Sequence, residues 1–83
     1  MKIQVRYFAS IRETLGAGES IELAAGATVA EVREALIAQG AAHASALARG
    51  RALRSALNQT LCDDSALVAE GAEVAFFPPV TGG

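Results

Sequence analysis

The sequence predicts an α+β domain: a small mixed sheet packed on one main helix, followed by a flexible C-terminal Gly-Gly tail. Residues 2–8 alternate polar and apolar with a period of two, the pattern of a half-buried strand. The segment ATVAEVREALIAQG joins a helix-start signal to an apolar stripe at helical spacing. Near the other end of the chain, EVAFF repeats the period of two. One well-capped helix set among short strands is an α+β layout. A length of 83 residues leaves room for one domain with a modest core. The expected division is residues 1–77 for the domain and 78–83 for an extended tail.

In the first strand Ile3, Val5 and Tyr7 share one face, and Lys2, Gln4, Arg6 and Phe8 the other. ASIRETLG follows as a short helical turn ending at Gly16. ESIEL then sets Ile21 and Leu23 between acids, a second strand able to pair back as a hairpin. In the main helix Thr28 is the N-cap, and Glu31, three residues on, completes a capping box. Val29, Val32, Leu36 and Ile37 form the core stripe, while Arg33, Glu34 and Gln39 face water and Gly40 is the natural stop. Residues 41–50 are alanine-rich and read as a second short helix closed by Gly50 or as loop, with His43 in a solvated stretch. ALRSALNQ is a strand with Leu53, Ser55 and Leu57 on one side, Asn58 and Gln59 a turn, and Leu61 follows. A turn or short helix at 63–67 and a loop through Gly71 lead to the last strand, with Val74 and Phe76 opposite Phe77.

One helix covers one face of a sheet. If Ile3, Val5, Val74 and Phe76 meet the helix, Phe8 and Phe77 point away from it, and Leu61 beside the turn joins them. Large apolar groups gathered on an uncovered face mark a binding patch. Its burial is worth roughly 1.5–3 kcal/mol per fully buried large side chain.

Composition excludes several function classes. The net charge is -2, and the seven basic residues are scattered apart from a short cluster at 49–54, so there is no nucleic-acid footprint. The apolar fraction is 52 %, but nineteen of those residues are alanine, and no apolar run reaches the roughly 18–20 residues that span a bilayer. MKIQVRYF alternates and lacks the apolar region of a signal peptide. The reading is therefore a cytoplasmic protein without membrane contact. A single cysteine, Cys62, excludes an internal disulfide, and one Cys and one His far apart give no metal site. Cys62 reads as a packing residue.

The tail PPVTGG runs directly out of the last strand. Pro78 and Pro79 lack the N–H groups that sheet pairing needs and hold an extended path. Val80 and Thr81 are β-branched and favour extension as well. From Pro78 to Gly83 the arm reaches roughly 20 Å at about 3.3 Å per residue. Gly82 and Gly83 carry no side chain, so they fit a channel that admits nothing wider. An α-carboxyl at the tip is ionised at neutral pH. It is a poor acylating group until a nucleotide activates it, and GAGES lacks the Lys and spacing of a phosphate-binding loop. Activation must come from another protein.

The opening VRYFASIRETLG, the capped helix after AGATVAEVREAL, the central ALNQTL and the terminal GAEVAFFPPVTGG together resemble the small subunits of molybdopterin synthase. These are ubiquitin-like sulfur carriers of the β-grasp fold, and the likeness covers essentially the whole chain. The resemblance implies that an ATP-dependent adenylating and sulfur-loading enzyme activates the carboxylate of Gly83 and converts it to a thiocarboxylate. The tail, Pro78, Pro79, Val80, Thr81 and Gly82, then threads into the active site of the large synthase subunit. There the sulfur passes to cyclic pyranopterin monophosphate on the way to the molybdenum cofactor. It further implies that Phe8, Leu61 and Phe77 contact the large subunit, that two large and two small subunits assemble, and that catalytic groups lie in the large subunit. No cofactor is held stably by this chain, ATP being used by the activating partner. Residues 41–51 and Cys62 match no family feature. Three other readings stay open: a sulfur carrier for thiamine thiazole synthesis, a ubiquitin-like protein modifier, and a plain β-grasp interaction module.

Overall fold

The structure is a computed structural model that describes residues 1–79. The alternation at the N-terminus forms β1 (Lys2–Tyr7), with Ile3, Val5 and Tyr7 buried and the residues between them exposed. β1 ends one residue earlier than the alternation suggests. The pairing breaks at Ala9, whose φ of 53° lies in the left-handed region and turns the chain into α1 (Ala9–Leu15). β2 (Gly18–Glu22) returns antiparallel to β1, with Ile3 opposite Ile21. Gly18 permits that approach, because a Cβ there would lie 2.2 Å from the Val5 carbonyl oxygen.

α2 (Val29–Ile37) begins on the capping box read from the sequence. Thr28 Oγ1 accepts from the Glu31 N–H at 3.3 Å, and Glu31 Oε1 accepts from the Thr28 N–H at 3.0 Å. The next two N–H groups, of Val29 and Ala30, donate to the carbonyls of Ala66 and Asp64. The loop before the last strand thus satisfies the helix start. The helix closes on Ala38 rather than Gly40, and Gly40 instead is the N-cap of α3 (Ala41–Leu47). The alanine-rich stretch is therefore helical, and it buries Ala46 and Leu47.

β3 (Arg54–Leu57) and β4 (Thr60–Cys62) form a hairpin around Asn58 and Gln59. Both turn residues have positive φ, 49° and 68°, the geometry of a type I′ turn that matches strand twist. β5 (Glu73–Phe77) lies between β1 and β3, parallel to the first and antiparallel to the second. The sheet order is β2-β1-β5-β3-β4.

Ile3, Val5, Tyr7, Val74 and Phe76 form one core with Ile11 of α1, Val29, Val32 and Leu36 of α2, and Leu47 of α3. All three helices thus contribute to the same side of the sheet, α2 being the longest. Arg33 departs from its expected place in water. Its Nε donates to the Leu47 carbonyl at 2.7 Å and its NH2 to the carbonyls of Ala48 and Arg51 at 2.5 and 3.2 Å. A short helix without a side-chain cap at either end leaves carbonyls unpaired, and this guanidinium from α2 satisfies them.

Candidate functional site

The register fixes what the other face of the sheet carries. Across the strands, Gly18, Arg6, Ala75, Ala56 and Leu61 stand in one row. One step toward the end where β5 finishes, Phe77 is paired with Arg54 on one side. On the other side Phe8 extends the alternation of β1 in an extended conformation, its N–H reaching the Phe76 carbonyl. Leu61 is 59 % exposed, Phe8 40 %, and Phe77 half-buried. The three residues expected to form a patch therefore do share the uncovered face. Between them Ala56 and Ala75 are small enough to be shadowed by their neighbours, and both are buried. The result is a shallow apolar floor with large side chains at its margins.

Because β1 and β5 run parallel, Phe8 and the chain's exit from β5 lie at the same end of the sheet. Pro78, half-buried, and Pro79, exposed, follow Phe77 outside any strand, as residues without a ladder N–H must. Val80, Thr81, Gly82 and Gly83, the rest of the expected arm, lie outside the described residues. The exit is central in the sheet, so whatever binds the floor is adjacent to the start of the tail.

Charge on this face comes from the exposed Arg54 opposite Phe77, from Glu73 opposite Gln4, and from Arg6. The guanidinium carbon of Arg6 lies 5.9 Å from the centre of the Phe8 ring, within range of a cation–π contact. Its NH1 is 3.7 Å from Glu73 Oε1, and half of the side chain is exposed. Cys62, at the sheet edge, is half-buried, and burial together with Asp63 and Asp64 pushes its thiol above the usual range. That environment disfavours the nucleophilic thiolate, in keeping with a packing role. Among the described residues no group of three His, Cys, Asp or Glu side chains is placed to hold a metal, and no helix is long and apolar enough to cross a membrane.

Besides the ties of Arg33, sequence reasoning missed a polar cluster around Glu19. His43 is not solvated: its Nε2 lies 2.7 Å from Glu19 Oε2, which also accepts from the buried Tyr7 hydroxyl at 2.7 Å. Burial alone would push the Glu19 carboxyl up, but the hydrogen bonds from His43 and Tyr7 outweigh it and hold it below its ordinary value. The same burial, with Glu19 beside it, pushes the Tyr7 hydroxyl up, so it stays a neutral donor. No local pattern announces a contact between residues so far apart in the chain. Arg6 was legible in principle, since it shares strand parity with Phe8.

Comparison with known proteins gives a consistent picture. The family model described as the ThiS family matches residues 5–83. A protein of Escherichia coli (strain K12) named molybdopterin synthase sulfur carrier subunit is 43 % identical over 81 residues, covering 98 % of this chain and 99 % of that one. A protein of the same name from Haemophilus influenzae is 45 % identical over 82 residues with the same coverage. Among solved structures, SAMP1 from Haloferax volcanii aligns over the full length of both chains with a TM-score of 0.79 at 27 % identity. A chain from the complex of subunits 1 and 2 of the molybdopterin-converting factor of Helicobacter pylori also aligns over both full lengths, with a TM-score of 0.69 at 26 % identity. The ubiquitin-like β-grasp fold is thereby established for this chain.

Proposed function

The chain belongs to the ThiS family, and from that premise we propose that it is the sulfur-carrier subunit of a molybdopterin synthase. The observation that carries this reading is the likeness, over nearly the whole length of both chains, to two proteins bearing that name. The apolar floor beside the start of the tail supports it, because a carrier must dock and extend its terminus in one event.

The chemistry assigned to this chain is that of its terminal carboxylate at Gly83. An ATP-dependent adenylating enzyme supplies the nucleotide: a carboxylate oxygen attacks the α-phosphate, pyrophosphate leaves, and a mixed anhydride results. A sulfur nucleophile from the loading machinery displaces AMP and leaves a thiocarboxylate. In the large subunit that sulfur bonds to a carbon of cyclic pyranopterin monophosphate as a carbon–oxygen bond of that substrate breaks and its oxygen leaves. The sulfur's bond to the glycyl carbon then breaks with water as the incoming oxygen, and the carboxylate returns. Two such rounds supply a dithiolene. The domain contributes docking through Phe8, Leu61 and Phe77 and delivery through Pro78, Pro79, Val80, Thr81 and Gly82. Acid, base and anion-stabilising groups belong to the large subunit, two copies of each subunit form the synthase, and the reaction is cytoplasmic.

Intact mass of the protein after co-expression with the loading enzymes tests this. Exchange of one oxygen for one sulfur at the C-terminal residue is expected. A chain that stays wholly unmodified, or a variant with one residue appended to Gly83 that still supports molybdopterin formation, overturns it. The likeness to SAMP1, a small archaeal modifier protein in the description of a second Haloferax volcanii structure, favours a second reading, conjugation to lysines through Gly83. It predicts higher-mass conjugates that vanish when Gly83 is removed.

A further inference from the structure

The open face carries a charge that a purely apolar docking surface would not keep. Arg6 stands in the row with Ala75, Ala56 and Leu61, one residue before Phe8, where a partner seated on the floor must cover it. Among the described residues its charge is met only by a long ion pair with Glu73. The distance of 3.7 Å from NH1 to Glu73 Oε1 exceeds a hydrogen bond, so no hydrogen bond from the guanidinium's five donors is made among the described residues. Its other contact, the face of the Phe8 ring at 5.9 Å, satisfies none of them. Glu73 lies one step down the sheet, opposite Gln4, away from the end where the chain leaves β5. Covering this face strips water from Arg6, and burial of a guanidinium whose donors gain no hydrogen-bond partner opposes binding strongly.

We propose that Arg6 is a specificity-determining residue of the docking face and that the large synthase subunit presents a carboxylate to it, seated beside the apolar group that fills the Ala56–Ala75 floor. This rests on the sulfur-carrier reading. The planar fork of Arg suits two parallel bonds to one carboxylate. Its stacking on Phe8 fixes the direction from which that carboxylate must arrive. A partner with a neutral or basic group at that point is rejected, so the charge selects among large subunits that share the same apolar plug.

The test is calorimetric binding of the full chain to the large subunit encoded in the same genome, at low and high salt. Arg6→Leu keeps an apolar stem without the charge, Arg6→Glu reverses it, and Phe77→Ala serves as the reference for lost apolar contact. The expected result is at least tenfold weaker binding for Arg6→Leu and at least a hundredfold for Arg6→Glu, each with an unchanged melting temperature. Wild-type affinity should fall with salt and that of Arg6→Leu should not. An acid-to-arginine change in the large subunit that restores binding to Arg6→Glu identifies the carboxylate. If Arg6→Leu binds as tightly as wild type while Phe77→Ala is weakened, the charge is idle and this inference fails with the carrier reading intact. If the wild-type chain does not bind the large subunit at all, the carrier reading fails and takes this inference with it.

Discussion

Phe76 and Phe77 are consecutive residues of β5 with opposite surroundings. Phe76 is fully buried among β1 and the helices, whereas Phe77 sits half-buried on the face that no helix covers. The same contrast separates Tyr7 from Phe8 on β1. The period of two in a strand lets one short sheet divide folding from recognition, residue by residue. A substitution on one face should be read in stability, and its neighbour's in binding.

Truncating Phe76 should have the largest effect. Phe76→Ala is expected to cost about 3–5 kcal/mol, a large share of the roughly 5–15 kcal/mol available to a domain, as measured by chemical denaturation. Phe77→Ala should leave the denaturation midpoint almost unmoved and weaken binding to the large subunit by about 2 kcal/mol, roughly thirtyfold. Unfolding of Phe77→Ala would erase the contrast between the faces, since it would make Phe77 part of the core.

A smaller effect sharpens what the covered face is made of. Arg33→Met keeps an apolar stem but removes the donors that hold the carbonyls of Leu47, Ala48 and Arg51. A loss of about 1–2 kcal/mol is expected, and amide exchange should rise first in α3. If protection of α3 is unchanged, the helix is held by Leu47 and Ala46 alone and the polar tie is incidental.

How much of this was legible depends on the range of the interaction. The capping box of Thr28 and Glu31, the turn at Asn58 and Gln59, and the parity of β1 and β5 are local, and each appears as read from the sequence. The open face followed because parity is a property of neighbours. The identity of α3 did not follow, because alanine propensity says helix while the stripe that would anchor it is reduced to Ala46 and Leu47. Arg33 and His43 were misjudged for one reason. A polar side chain on a helix is expected in water, and only the tertiary arrangement supplies the carbonyls or carboxylate that draw it inward.

The smallest predicted effect lies at the margin of the covered face, where Glu19, opposite Val5 on β2, accepts from Tyr7 and His43. Burial works against the charged carboxylate, and the hydrogen bonds from His43 and Tyr7 more than offset it, so the folded protein holds Glu19 below the ordinary value of 4.5. The unfolded chain therefore takes up the proton first as pH falls. Its contribution is present above that ordinary value and is lost as pH drops through the lower, folded one. Glu19→Gln should lower stability by less than about 1 kcal/mol at pH 7, the side chain being partly exposed. The gap to wild type should close as the pH is taken well below 4.5. Urea denaturation of both proteins across the acid range provides the measurement. A gap that stays constant with pH would mean that Glu19 acts through shape and packing, and that the covered face ends at Tyr7 with no charged margin.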